Sequence, residues 1–469
     1  MKWKLTVPLL FLATLAFAQL RLPSLVSSGM VLQQNDSVKL WGWAGPDEKV
    51  FVTTSWDGRK DSTRANNGAK WALKIKTPKA GGPYSIKINT QWTSETLTDV
   101  LIGEVWFCSG QSNMDWSYYH GLKDIRTELP TCYNKNLRFF HILKTTSDYP
   151  QDDVKGKWEI CDSTSLKRFS AVGYYFGKRI NQQLNVPVGL IHGSWGGTPA
   201  ETWVPDSYFA KDAVLQEAAS KLQTFKWWPT APAKAYNAMV APAINYNIAG
   251  ALWYQGESNT GTNGTYYPLM ITLINAWREA WKKDFYFNLV QIAPYAYGNN
   301  NVGALVQEAQ TKLLSHPKTG VIVITDLVDN IKDIHPANKH DVGLRLANWA
   351  LGETYGVTGI AYKSPQFESM TVTKGKAVLA FKNAPNGLIS KEKVISGFYI
   401  SSEKEQWFPA EAKIEGNKIT VWSKSVANPA HVRFGFGNTL IGNVFSKEGL
   451  PLIPFRTDNW SVDQSAVKQ

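Results

Sequence analysis

Between residues 101 and 356 the chain alternates near-continuous apolar runs of strand length with longer segments of helical periodicity, and no other feature restricts its fold as tightly. The runs are "DVLIGEVWFC", "VPVGLIHGS", "IAGALWYQ", "FYFNLVQIA" and "GVIVITDL". Between and after them come "AVGYYFGKRINQQLN", "DAVLQEAASKLQ", "YYPLMITLINAWREAWKK", "ALVQEAQTKLL" and "HDVGLRLANWALGETYG". A run that is apolar at successive positions has no water-facing side, so each strand is buried on both faces. This predicts an α/β fold, a parallel sheet flanked by helices.

The flanks read differently. Residues 19–100 carry "SVKLWGWAG", "KVFVTTSW", "KWALKIKTP" and "YSIKINT", separated by the turn segments "GPDE", "NNGA" and "KAGGP". That spacing predicts a β-sandwich-like region. Residues 357–469 return to short strands such as "KAVLAFK" and "KITVWSK", so additional β-rich regions stand at both ends of the α/β segment 101–356. Residues 1–18 have the pattern of a secretory signal: Lys2 and Lys4, the apolar run "LTVPLLFLATLAF", then Ala16-Phe17-Ala18. The run is short for a bilayer, and no later stretch approaches about twenty apolar residues. The mature protein is expected to start at Gln19 and to be exported to the periplasm or the extracellular space, without a membrane span.

The formal charge of +12 is spread along the chain without a basic block, which fits a solvated surface and gives no nucleic-acid site. Cys108, Cys132 and Cys161 are an odd set for an exported chain; one disulfide, such as Cys132–Cys161, is compatible with it alongside a buried thiol at Cys108. No C-x-x-C or H-E-x-x-H pattern occurs, so no metal site is legible.

Ligands of open parallel sheets bind beyond the carboxyl ends of the strands. Here those ends carry "SGQSNM" (109–114), "HGSWGGTP" (192–199), "QGESN" (255–259), "APY" (293–295) and "DLVDNIKDIHP" (326–336), and four of the five hold residues suited to acyl transfer. Ser112 is the candidate nucleophile, in a polar turn shaped by Gln111 and Asn113. A serine needs a base to take its proton and donors to hold the resulting oxyanion. His335 is the candidate base, with Asp333 or Asp329 to orient it; His192, on another strand end, is its rival. Gly196 and Gly197 allow close approach of backbone N–H groups, and Gln255 offers a side-chain amide. Glu257 is read either as a second acid supporting His335 or as a structural partner for a backbone N–H. Trp116, Tyr118, Tyr119, Trp195, Trp227 and Trp228 lie near these motifs and are candidates for packing on a sugar ring. No G-x-S-x-G is present, so the pattern is not that of an α/β-hydrolase.

In order along the chain, "GMVLQ", "GEVWFCSGQSNM", "SWGGTPAETW", "ALWYQGESN" and "DIHPANKHDVGLRLANWAL" resemble the sialate O-acetylesterase family, within the wider SGNH-hydrolase group and related to acetylxylan esterases. The resemblance implies an SGNH or flavodoxin-like sheet and hydrolysis of acetyl esters on sugars through an acetyl-enzyme. It makes Ser112 the nucleophile and His335 the base, with oxyanion donors from Ser112, Gly196 or Gly197, and Gln255. It implies an O-acetylated sugar or glycan as substrate, sialic acid first and acetylated xylan next, and no cofactor or metal. In the wider group the acid stands three residues before the histidine. Here that position is Lys332 and Asp333 stands two before, so Asp333 leads and Glu257 follows as candidate acid. The competing reading is a non-catalytic carbohydrate-binding protein on this fold.

Overall fold

The computed structural model describes residues 20–298 and 301–462; the expected signal at residues 1–18 lies outside them. The chain opens with strands β1 (Val31–Gln33), β2 (Ser37–Trp43), β3 (Lys49–Thr54), β4 (Lys60–Arg64), β5 (Lys70–Lys76) and β6 (Gly81–Asn89). It then enters β7 (Ser94–Gly110), whose 17 residues belong to two regions at once. Strands β8 (Asn134–His141), β9 (Trp158–Cys161), β10 (Val188–Ser194), β11 (Gly250–Tyr254), β12 (Tyr286–Val290) and β13 (Thr319–Ile322) complete the main sheet. Its order is β13-β12-β11-β7-β10-β8-β9, parallel except for the antiparallel edge strand β9. The first half of β7 pairs with β6 and β1, and the second half, from Glu104 to Gly110, lies between β10 and β11.

Nine helices are described between the strands: α1 (Ser112–Asp115), α2 (Lys123–Glu128), α3 (Ser163–Leu166), α4 (Ala171–Leu184), α5 (Asp206–Phe209), α6 (Ala213–Ser220), α7 (Asn263–Trp281), α8 (Val302–Lys312) and α9 (Lys339–Glu353). Alternate residues of β7 face opposite sides, as the two-residue period of a strand requires. Val105 and Phe107 join one core with Leu273 and Trp277 of α7 and Val306 of α8. Trp106 and Cys108 join the other with Val172 and Phe176 of α4 and Leu346 of α9. The sheet is thus covered on both faces, which explains why its central strands are near-continuously apolar. The β-rich leading region shares the first of these cores, through Leu40, Val50 and Ile86. Helix ends follow local chemistry: Ser170 Oγ accepts from the Gly173 N–H to start α4, and Asn185, in the left-handed region at φ 52°, ends it.

The trailing region contributes β14 (Gln366–Thr373), β15 (Lys376–Lys382), β16 (Leu388–Ser390), β17 (Phe398–Ser401), β18 (Trp407–Pro409), β19 (Glu411–Glu415), β20 (Lys418–Trp422), β21 (His431–Phe434), β22 (Val444–Ser446) and β23 (Phe455–Arg456). They form the sheets β14-β15-β20-β19 and β18-β17-β21-β23 and the pair β16-β22, around a core that includes Leu379, Ile400, Val421 and Phe434. Arg456 fastens this region to α8 by a two-pronged contact with Glu308, at 2.8 and 3.0 Å. The three cysteines are buried thiols, with Cys161 Sγ donating to the Cys132 carbonyl at 3.1 Å, so the Cys132–Cys161 disulfide is not formed here.

Arg433 and Asp458 make a second forked pair, at 2.8 and 2.7 Å, with both side chains buried. Removing one partner strands the other charge away from water. Asp458→Ala is expected to destabilise the fold by about 3–5 kcal/mol, read as a lowered midpoint in chemical denaturation; an unchanged midpoint would contradict the role given to this pair.

Candidate active site

The turn after β7 is built by a close backbone crossing. The Gln111 N–H donates to Tyr254 O at 3.0 Å, and a Cβ on Gly110, whose φ is +134°, would lie 2.2 Å from that same oxygen. Only glycine fits there. The chain turns directly into the four-residue helix α1, with Ser112 as its first residue and no side-chain cap from Gln111. The N–H of a first helical residue has no intrahelical acceptor, so that of Ser112 is available to an incoming oxyanion. From the end of β10, Gly196 approaches so closely that a Cβ there would stand 3.3 Å from Ser112 Cβ. Gly197, one residue further, instead lies under the indole of Trp228. Of the two glycines, Gly196 is the one beside the hydroxyl.

His335 arrives from the loop between β13 and α9, and its Nε2 stands 2.8 Å from Ser112 Oγ. The ring stacks on Trp116, with centroids 4.2 Å apart and planes at 20°. Asp333 accepts from the His335 backbone N–H at 2.9 Å, and the same carboxylate oxygen lies 3.6 Å from His335 Nδ1. That second distance is longer than a hydrogen bond, so Asp333 shapes the loop and acts on the ring as a nearby charge. Burial, aided by the positive charge of Lys339 and opposed by Asp333, pushes the His335 pKa down to about 4. At neutral pH the ring is uncharged, the form that can accept a proton.

Behind these two side chains sits a buried polar cluster. Asn113 Nδ2 donates to Glu257 Oε1 at 2.6 Å and to the Ile334 carbonyl at 3.1 Å, while Lys339 Nζ donates to Asn113 Oδ1 at 2.5 Å. Lys339 is wholly buried, with its ammonium 5.3 Å from the ring centroid of Trp116 and 5.4 Å from that of Tyr254. Burial lowers the Lys339 pKa to about 7, opposed chiefly by Glu257. Burial also raises the Glu257 carboxyl above its ordinary range, partly offset by hydrogen bonding and Lys339.

These contacts correct part of the sequence reading. Glu257 does not support His335; it binds Asn113 and so reaches the catalytic loop only indirectly. Gln255 is not aimed at an oxyanion. It is fully buried, its Nε2 donates to Asn259 Oδ1 at 2.7 Å, and its Oε1 accepts from Tyr266 Oη at 3.2 Å. Asn113 and Gln111 brace the site from behind instead of lining it, with Gln111 Oε1 accepting from the N–H groups of Gly256 and Ser258 at 3.4 and 3.3 Å. Trp195 fixes its backbone to Gly110 O at 3.0 Å and packs its half-buried ring on the core. The rival base His192 is fully buried and bonded to Ser194 Oγ at 2.6 Å. Together with His141 and Asp115 it brings ligand-type atoms within 4.8 Å of one another, but Asp115 is already paired at 2.6 Å with the ammonium of Lys144. Lys339 escaped the sequence reading. Its signal was a cation in the first turn of a helix, where the macrodipole disfavours positive charge.

Residues 102–351 match the family described as carbohydrate esterase, sialic acid-specific acetylesterase. A solved carbohydrate acetylesterase from Xanthomonas citri is similar at 32% identity and a TM-score of 0.86, over 94% of this chain and 100% of that one. The sialate O-acetylesterase of Pongo abelii is 28% identical across 83% of this chain and 82% of its own length. That of Homo sapiens is 27% identical over the same shares.

If the ammonium of Lys339 acts on the imidazole through space, Lys339→Met will raise the His335 pKa from its value of about 4, because an imidazolium no longer faces a like charge. NMR titration of the His335 ring proton reads this directly. A pKa that stays put or falls in the variant would rule the coupling out.

Proposed function

The chain belongs to the sialic acid-specific acetylesterase family of carbohydrate esterases, and from that premise we propose that it removes O-acetyl groups from sugars, sialic acids first among them, with Ser112 as nucleophile and His335 as base. The observation that carries the reading is the 2.8 Å contact between Ser112 Oγ and His335 Nε2, residues 223 positions apart in sequence. An alcohol and a neutral imidazole held at this distance are ready for attack on a carbonyl.

In the proposed reaction Ser112 Oγ bonds to the acetyl carbon as its proton passes to His335 Nε2. The negative carbonyl oxygen faces the N–H groups of Ser112 and Gly196. Collapse of this intermediate breaks the bond to the sugar oxygen, which takes the proton back from His335 and leaves as an alcohol. Water gives a proton to the same imidazole as it attacks acetyl-Ser112; collapse breaks the bond from the acetyl carbon to Oγ, Ser112 Oγ takes that proton back from His335, and acetic acid leaves and ionises to acetate. Asp333 and Trp116 hold the ring in place during both halves. None of these steps draws on a metal or an organic cofactor.

The excess of 50 Lys and Arg over 38 Asp and Glu favours a carboxylated sugar over a neutral one, which places sialic acid ahead of acetylated xylan. Export is part of the proposal, on the strength of the sequence pattern at residues 1–18; a secreted product whose first residue is not Gln19 would count against that cleavage site.

Ser112→Ala and His335→Ala should each lower kcat/KM on 4-nitrophenyl acetate by about 10⁴-fold or more, and the double variant should lose little beyond either single change. Ser112→Ala retaining wild-type turnover would overturn Ser112 as the nucleophile, and wild type and variant equally inactive would return the chain to the non-catalytic reading.

A further inference from the structure

Between α6 and Tyr236 the chain runs through "LQTFKWWPT" without helix or strand, and places Phe225, Lys226, Trp227 and Trp228 in succession. One end of this row is anchored at the active site. The Trp228 indole covers Gly197 so tightly that a Cβ there would lie 2.5 Å from two ring carbons, and Gly197 adjoins Gly196, the neighbour of Ser112. Phe225 stacks on Trp228 with centroids 4.7 Å apart and planes at 28°. The other end is open to water: Trp227 is 72% exposed and Phe225 46%. Lys226 holds its ammonium 5.2 Å from the Trp227 ring centroid.

Rings left in water beside a reactive serine carry a free-energy penalty that a bound partner would relieve. A membrane or a protein partner would need an apolar area wider than one short segment, and the loop's lysines, Lys221 and Lys226, interrupt it. A pyranose needs less: one apolar C–H face set on an aromatic ring, with its hydroxyls still in solvent.

We propose that Phe225, Trp227 and Trp228 form the acceptor-side platform of the active site, on which the pyranose ring of the departing sugar rests while its acetyl group enters between Ser112 and Gly196. The proposal rests on the deacetylase reading and adds to it where the sugar lies. It makes these rings a device for binding the glycan, with no part in breaking the ester. Sialic acids and xylan both present such a ring, so the platform serves either.

The test compares a large substrate with a small one. Trp227→Ala and Phe225→Ala, both at exposed positions, are assayed for acetate release from an O-acetylated sialic acid and from acetylated xylan, and for turnover of 4-nitrophenyl acetate, which carries no sugar. The expected result is a KM raised by about tenfold on whichever glycan the wild type deacetylates, with kcat and 4-nitrophenyl acetate turnover unchanged. An unaltered glycan KM overturns the platform, as does a parallel loss on the small ester, or a change in oligomeric state with glycan kinetics intact. Wild-type protein inactive on both glycans while Ser112→Ala matches it on the small ester would bring down the deacetylase reading itself, a different and separable failure.

Discussion

The site depends on the buried amide of Asn113. Its two donor hydrogens go to Glu257 and to the carbonyl of Ile334, and its oxygen accepts from Lys339. Each partner comes from a different part of the chain: the loop after β11, the histidine loop, and the first turn of α9. A buried amide left with an open valence costs about 1–3 kcal/mol, so the three segments are held to one arrangement by the penalty for leaving it. Ser112 precedes Asn113 and His335 follows Ile334. Satisfying the amide therefore sets the alcohol and the imidazole in contact, without either having to hold the other.

The same cluster explains the electrostatics. Lys339 cannot reach solvent, and its positive charge adds to burial in keeping the His335 ring neutral. Asp333 opposes both effects from 3.6 Å. The imidazole thus sits between an acid that stabilises its charged form and a lysine whose charged form does not, and burial, the largest of these effects, keeps it neutral. An acid in full hydrogen-bonding contact would make a stronger base; here Asp333 gives its short contact to the backbone of the loop.

Much of this could be read from residues alone. Apolar runs at 101–356 gave the doubly covered sheet, and the strand-end rule brought Ser112, the Gly196–Gly197 pair and His335 to one rim. The directions of the amides were not legible. Gln255 looks like a donor in sequence, but its orientation is set by Asn259 and Tyr266, which only the folded loop brings near. Glu257 was given two roles, an acid for His335 or a partner for a backbone N–H; that it takes the side-chain amide of Asn113 depended on where the fold puts that amide. Strand and turn spacing predicted a sandwich-like leading region; that its Leu40 and Ile86 share a core with Trp277 is a long-range fact no local pattern contains. His192 and His335 both stand at strand ends, and burial separates them.

One further consequence follows from the length of β7. A single strand, bulged at Asp99 but running on to Gly110, is clamped by β1 and β6 at its beginning and delivers Ser112 just beyond its end. The leading region is therefore a foundation and not an appendage. A lineage that shed it would bare the flank of the very strand that carries the reactive alcohol, inviting sticky edge-to-edge association.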